Sequence, residues 1–206
     1  MFQKYLNPDS RIYHYLDTLW HLILINFLTL LTCIPIFTIG ASLSAMYDVL
    51  FRIKRNNEGN IRRDFFRAFK ANFRQGTILW MMFALVFLSL AVDYRFTVLY
   101  PDTFPGWVKY VIIIAAIILF MIFQYVFLLQ SHFENSIFMT IQNAAVLSFS
   151  RIFRTIPMAL VWIVPWAVLN FSFLLLPFIV MFGISVPAYV GVCLIDTTFR
   201  MLEKNS

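Results

Sequence analysis

Between Arg154 and Asp196 no residue carries an acidic or basic side chain. A bilayer core about 30 Å thick takes about 20 helical residues at 1.5 Å each. This charge-free stretch is therefore about twice the length of one crossing, and it predicts two helices joined by a tight turn. Pro177, near the midpoint, suits a helix start, which places these spans near 157–175 and 179–199. Gly183 and Pro187 then lie inside the second of them, where proline removes a backbone hydrogen bond and bends a helix.

Three further apolar runs are long enough to cross. The first, near 18–37, is dense in Leu, Ile and Phe until Pro35 and Gly40 interrupt it. The second, near 76–93, reads TILWMMFALVFLSLAV between Arg74 and Asp93. The third, near 110–130, has Trp107 and Tyr110 at one end, where amphipathic rings favour the headgroup level. The fold class predicted is all-α: one polytopic membrane helix bundle over residues 1–206, with about five transmembrane helices and short interfacial amphipathic helices. Composition agrees, since 61% of residues are hydrophobic and only 13% charged, against about 45–50% and 25% in soluble domains. Cys33 and Cys193 lie inside apolar runs and form no disulfide framework.

Half of the 16 Lys and Arg fall between Arg52 and Arg74. Such clustering beside apolar spans reflects membrane topology and not nucleic-acid binding, and it puts 52–74 in the cytoplasm. With five crossings the N-terminus is then expected outside and the C-terminus inside the cell membrane. A crossing at 41–52 would reverse the N-terminus, but twelve residues are too few.

Three segments have interfacial character. Near 42–53, Leu43, Met46, Tyr47, Leu50 and Phe51 share one helical face, with Asp48 and Arg52 spaced to pair. Over 61–74, Phe65, Phe66, Phe69 and Phe73 are set against Arg63, Arg67, Lys70 and Arg74, an aromatic face with a basic back that suits an anionic leaflet or a docking partner. The third, near 138–154, echoes it at an offset of eighty residues: Phe69, Phe73 and Arg74 meet Phe149, Phe153 and Arg154. A duplicated unit predicts that both are short helices leading into superposable spans. Between the first span and the next helix, Gly40 is expected at a turn with positive φ.

Candidate chemistry is sparse. Asn26, Gln124 and Asn170 are the polar groups that could line a cavity within the spans. The structural alternative is hydrogen bonding between helices, worth about 0.6 kcal/mol and at most about 2. Asp17, Asp93 and Asp196 mark expected span ends and are assigned to topology, with Arg partners within reach. The sequence contains no HExxH, GxSxG or GxxxxGK[ST] motif, and no His or Cys pair at metal-ligand spacing. No catalytic residue, cofactor or metal is assigned, and the expected function is not enzymatic.

From Cys33 to Trp80 the chain resembles the YesL-like family of bacterial membrane proteins, whose domain has no known function. The likeness rests on TIGAS at 38–42, Ala45, Tyr47, EG at 58 and 59, FF at 65 and 66, FK at 69 and 70, and NF at 72 and 73. The family contributes no site residues. It implies a context, because its members are commonly encoded beside carbohydrate uptake transporters. An accessory or assembly factor for a carbohydrate transporter permease, held in the lipid bilayer with anionic lipids at its cytoplasmic face, is the leading expectation. The alternative is a small solute transporter or channel acting as an oligomer, for which a continuous polar cavity should touch Asn26, Gln124 or Asn170.

Overall fold

The computed structural model describes residues 11–55, 57, 59–171 and 176–203, and its regular elements there are all helical. They are α1 (Arg11–Thr32), a short 3-10 turn (Ile36–Thr38), α2 (Ile39–Lys54), α3 (Ile61–Leu99), α4 (Val108–Gln130), α5 (Ile137–Ser150), α6 (Ile152–Phe171), α7 (Leu176–Phe182) and α8 (Ser185–Glu203). Three helices are individually long and apolar enough to cross a membrane, at Ile36–Lys54, Ile61–Leu99 and Val108–Gln130. Two bent pairs, α5 with α6 and α7 with α8, bring the number to as many as five, and Leu16–Thr32 is a shorter apolar helix beside them. The chain is a membrane helix bundle, as expected.

Helix α2 lies at its centre. Eleven of its 16 residues are buried, on all sides of the helix, so the amphipathic reading of 42–53 does not describe how it packs. The sequence pattern registered only large apolar residues. The opposite side is made of Gly40, Ala41, Ser44 and Ala45, small residues that let neighbouring backbones approach. The expected Asp48–Arg52 pair does form, at 2.9 Å.

Gly40 is helical and its φ is not positive. Its role is steric. A β-carbon there would strike the carbonyl oxygen of Gly76 and stand 2.7 Å from Cβ of Trp80. A β-carbon on Gly76 would in turn lie 2.9 Å from the amide nitrogen of Ala41. Two glycines thus meet where α2 crosses α3, and this contact, not a turn, explains the TIGAS segment.

The chain doubles back between α1 and α2. Asn26 bonds Ser185 and Arg55 bonds Asp196, both partners lying on α8. Those partners are about 17 Å apart along the helix, whereas α1 running straight on into α2 would hold Asn26 and Arg55 about 40 Å apart. The start of α1 and the end of α2 therefore lie at the same end of the bundle. Where only the twelve residues 41–52 had been counted, α2 runs for a full helix, Ile39–Lys54.

Helix α3 runs unbroken for 39 residues, about 58 Å at 1.5 Å per residue. Asn60 starts it, its side chain accepting the Arg63 amide N–H at 3.2 Å. The sequence suggested an elbow between Arg74 and the apolar run, but a change from basic to apolar is not a helix stop. No proline or new N-cap intervenes, and the hydrogen-bond ladder continues. Asp93, expected at a span end, is accordingly an exposed residue within the helix. The second supposed elbow differs: Ser136 caps α5, the helix ends at Arg151, and α6 departs at 101°. The proposed repeat fails on this contrast, since one segment is continuous with its span and the other is sharply bent from it.

The last two helices bend by 42°. The break is at Gly183–Ile184 and not at Pro187, which occupies the first turn of α8, where a missing N–H costs no hydrogen bond. Pro177 lies in α7, beside residues outside the described ones.

Candidate functional site

Asn26 has no exposed surface, and its carboxamide is fully engaged with the α7–α8 break. Its Nδ2 donates to the Val180 carbonyl at 2.6 Å, while Oδ1 accepts the amide N–H of Ile184 at 3.0 Å and of Ser185 at 2.8 Å. One side chain from α1 thus satisfies a carbonyl at the end of α7 and two of the orphan N–H groups that open α8. It clamps a broken helix.

Gln124 stands apart from that clamp. It lies on α4, 4% exposed, and borders a cavity of about 590 Å³ enclosed by α1, α2, α3, α4, α6 and α7. Leu43, Phe123, Trp162 and Ile184 are among the residues that line it, and the wall is almost wholly apolar. The side chain of Asn170 lies outside the described residues. Gln124 borders this apolar cavity, whereas Asn26 does not.

At the other end of α2, charged groups join three helices, α2, α6 and α8. Asp196 on α8, its side chain 8% exposed, accepts from Arg55 Nε at 3.0 Å and from Arg200 Nε at 2.9 Å. Arg154 at the start of α6 donates to the Leu194 carbonyl at 3.1 Å and to Thr198 Oγ1 at 2.7 Å. Phe51, His132 and Phe199 pack as a ring cluster over the same region, with centroids 5.0–5.5 Å apart. Asp196, inside α8, thus ties the end of α2 to that helix. Nothing in sequence links it to Arg55, although Arg200 one turn later is the local signal of a pair.

Beside this tie lies a polar cavity of about 620 Å³, lined by Asp48, Arg52, Asn72, Gln75, Gln130 and Glu134 among others. Gln75 Nε2 donates to the Asn135 carbonyl at 2.6 Å, and Gln130 Nε2 donates to Asn72 Oδ1 at 3.1 Å. These bonds join the start of α3 to the end of α4.

The expected aromatic face over 61–74 is divided. Phe65 is fully buried in the core and Phe69 packs against it, whereas Phe66 and Phe73 are 41% and 39% exposed. Arg63, Arg67, Lys70 and Arg74 are all exposed, and Arg67 also pairs with Asp64 at 2.8 Å. Four Phe spread over nine residues cannot share one narrow face of a helix; the i and i+4 pair points inward and the other two outward. The segment is the first part of a bundle helix with a basic outer side, and not a separate helix resting on its aromatic residues.

Helices α1 and α2 and most of α3 make up the part of the chain that carries the two-glycine crossing and the doubled-back hairpin. Residues 15–94 match a family described as "Protein of unknown function, DUF624". The match stops short of α4, so it includes Asn26, Gly40, Arg55, Gly76 and Trp80 but not Gln124 or Asp196. No curated protein and no solved structure matches the chain.

Proposed function

We propose that this protein is a non-enzymatic, membrane-embedded assembly partner of a carbohydrate-uptake permease. The observation that carries this reading is the outer half of the α3–α4 hairpin. Since Gly40 near the start of α2 packs at Gly76 and Trp80, the remainder of α3 extends about 28 Å past that level. There Met82, Leu85, Leu88, Val92, Ile114 and Ile117 are all exposed, while Phe83, Phe87 and Phe123 close the seam between the two helices. Such a surface suits a neighbouring transmembrane helix. The sugar context rests on the family resemblance alone. Gentle purification is expected to recover a sugar permease in stoichiometric amount. Isolation of the protein alone, together with normal sugar uptake in a deletion strain, would overturn the reading.

Orientation is part of the same proposal. The basic end collects Arg52, Arg55, the exposed Arg63, Arg67, Lys70 and Arg74, and Arg200, which the positive-inside rule assigns to the cytoplasm. Each exposed cation close to an anionic leaflet contributes about 1 kcal/mol of attraction. Because α1 starts at that end, both termini are cytoplasmic. Reporter fusions ahead of Arg11, at Asn57 and after the C-terminus should all read cytoplasmic, and a fusion at Thr103 external. An external reading ahead of Arg11 would mean that α1 and α2 do not cross as a hairpin.

A further inference from the structure

The apolar cavity holds two polar groups with no hydrogen-bond partner among the described residues. Gln124 leaves both Oε1 and Nε2 unpaired, and Trp80 leaves Nε1 unpaired; all three atoms are buried. Both residues line the cavity. Leaving such groups unsatisfied in apolar surroundings is costly. Native structures seldom retain them without a reason. Other buried polar side chains are spent on structure: Asn26 clamps α7 to α8, and Tyr125 OH and Thr155 Oγ1 bond each other at 2.9 Å; Gln124 differs in leaving both ends of its amide unpaired. A volume of about 590 Å³ is within the range of sites that hold small ligands.

We infer that this cavity binds a membrane-borne amphiphile, an apolar chain carrying one hydroxyl or amide group that Gln124 and Trp80 recognise. The chemistry follows from what is unpaired. Trp80 Nε1–H and the Gln124 amide N–H require an acceptor, and Gln124 Oε1 requires a donor. A hydroxyl or an amide supplies both, whereas an ester carbonyl would leave Oε1 unpaired and a plain hydrocarbon would leave all three. Phe123, Trp162 and Ile184 offer the chain an apolar wall. A water bonds the same polar atoms but leaves the apolar wall of the cavity unfilled, which an amphiphile's chain covers.

The test uses the full-length protein in lipid nanodiscs with two photoactivatable probes, hexadecanol and hexadecane, each carrying a mid-chain diazirine. The alcohol probe should crosslink to peptides containing Phe123, Trp162 or Ile184, and excess unlabelled hexadecanol should compete it away. The hydrocarbon probe should label chiefly the exposed faces of α3 and α4, without competition. Gln124→Leu should lower the competable labelling about tenfold, the equivalent of one well-made buried hydrogen bond, and should melt no lower than wild type because it removes an unpaired amide. Trp80→Phe, which deletes the Nε1 donor together with part of the ring and keeps Cβ against Gly40, gives a second reading should Gln124→Leu fail to fold. Equal labelling by both probes would show a gap filled by lipid tails and would overturn the inference. So would competable labelling that neither variant reduces.

Discussion

Asn26→Leu is expected to destabilise the protein by about 2–4 kcal/mol, the largest loss of any single polar substitution in the bundle. Leucine keeps the branched shape and heavy-atom count of asparagine, so the loss falls chiefly on hydrogen bonding. Two amide N–H groups at Ile184 and Ser185 and the carbonyl of Val180 would be left without their partner in a site with no exposed surface. A buried group stripped of its partner costs about 1–3 kcal/mol. Values measured between membrane helices average lower, about 0.6 kcal/mol per bond. Three bonds lost together at one helix break support the stated range. Asn26→Asp should be no milder, since it keeps the acceptor, loses the donor to Val180 and buries a charge. Equilibrium unfolding in mixed micelles measures this directly, and a loss below about 0.5 kcal/mol, the scale of one ordinary membrane hydrogen bond, would show that the α7–α8 break holds without α1.

The second large effect is at the glycine crossing. Gly40→Ala and Gly76→Ala should each cost about 1–3 kcal/mol, the usual range for forcing extra atoms into a packed site. Gly40→Val should prevent folding, because the obstruction is backbone and cannot rotate away. The double alanine variant should cost clearly less than the sum of the two singles. Once one methyl has pushed the helices apart the second finds room, and contacting residues are where additivity fails. Gly106→Ala is the control, since a β-carbon there meets nothing within 4 Å. Thermal melting of the four variants checks the scheme. Strict additivity would show that the two glycines act separately and not at one crossing.

The apolar crossings were legible because hydrocarbon thickness imposes a count that uncharged runs record directly. What stayed hidden had no local signature. Central burial of α2 depends on Gly40, Ala41, Ser44 and Ala45, which a pattern of large residues leaves out. The continuity of α3 through Gln75 and Gly76 was missed because polarity was taken for a boundary, although only backbone chemistry ends a helix. At the candidate sites, Asn26 and Gln124 looked alike as lone polar residues in apolar runs. Their roles part only in three dimensions, where one meets the break between α7 and α8 and the other meets none. The pairing of Arg55 with Asp196 joins residues far apart in sequence, and no periodicity reports it.

The clamp at Asn26 and the tie at Arg55 also set an order of assembly during synthesis. Both belong to the N-terminal hairpin, and both find partners on α7 and α8, which leave the ribosome after α1 to α6. Until those emerge, an amide on α1 and a guanidinium at the end of α2 wait in the bilayer and at its edge with their final contacts unmade. Domains made early in translation usually close first; this one stays open at its first hairpin until nearly the whole chain has been inserted. A chain truncated before α7 therefore carries an unsatisfied amide in its first helix.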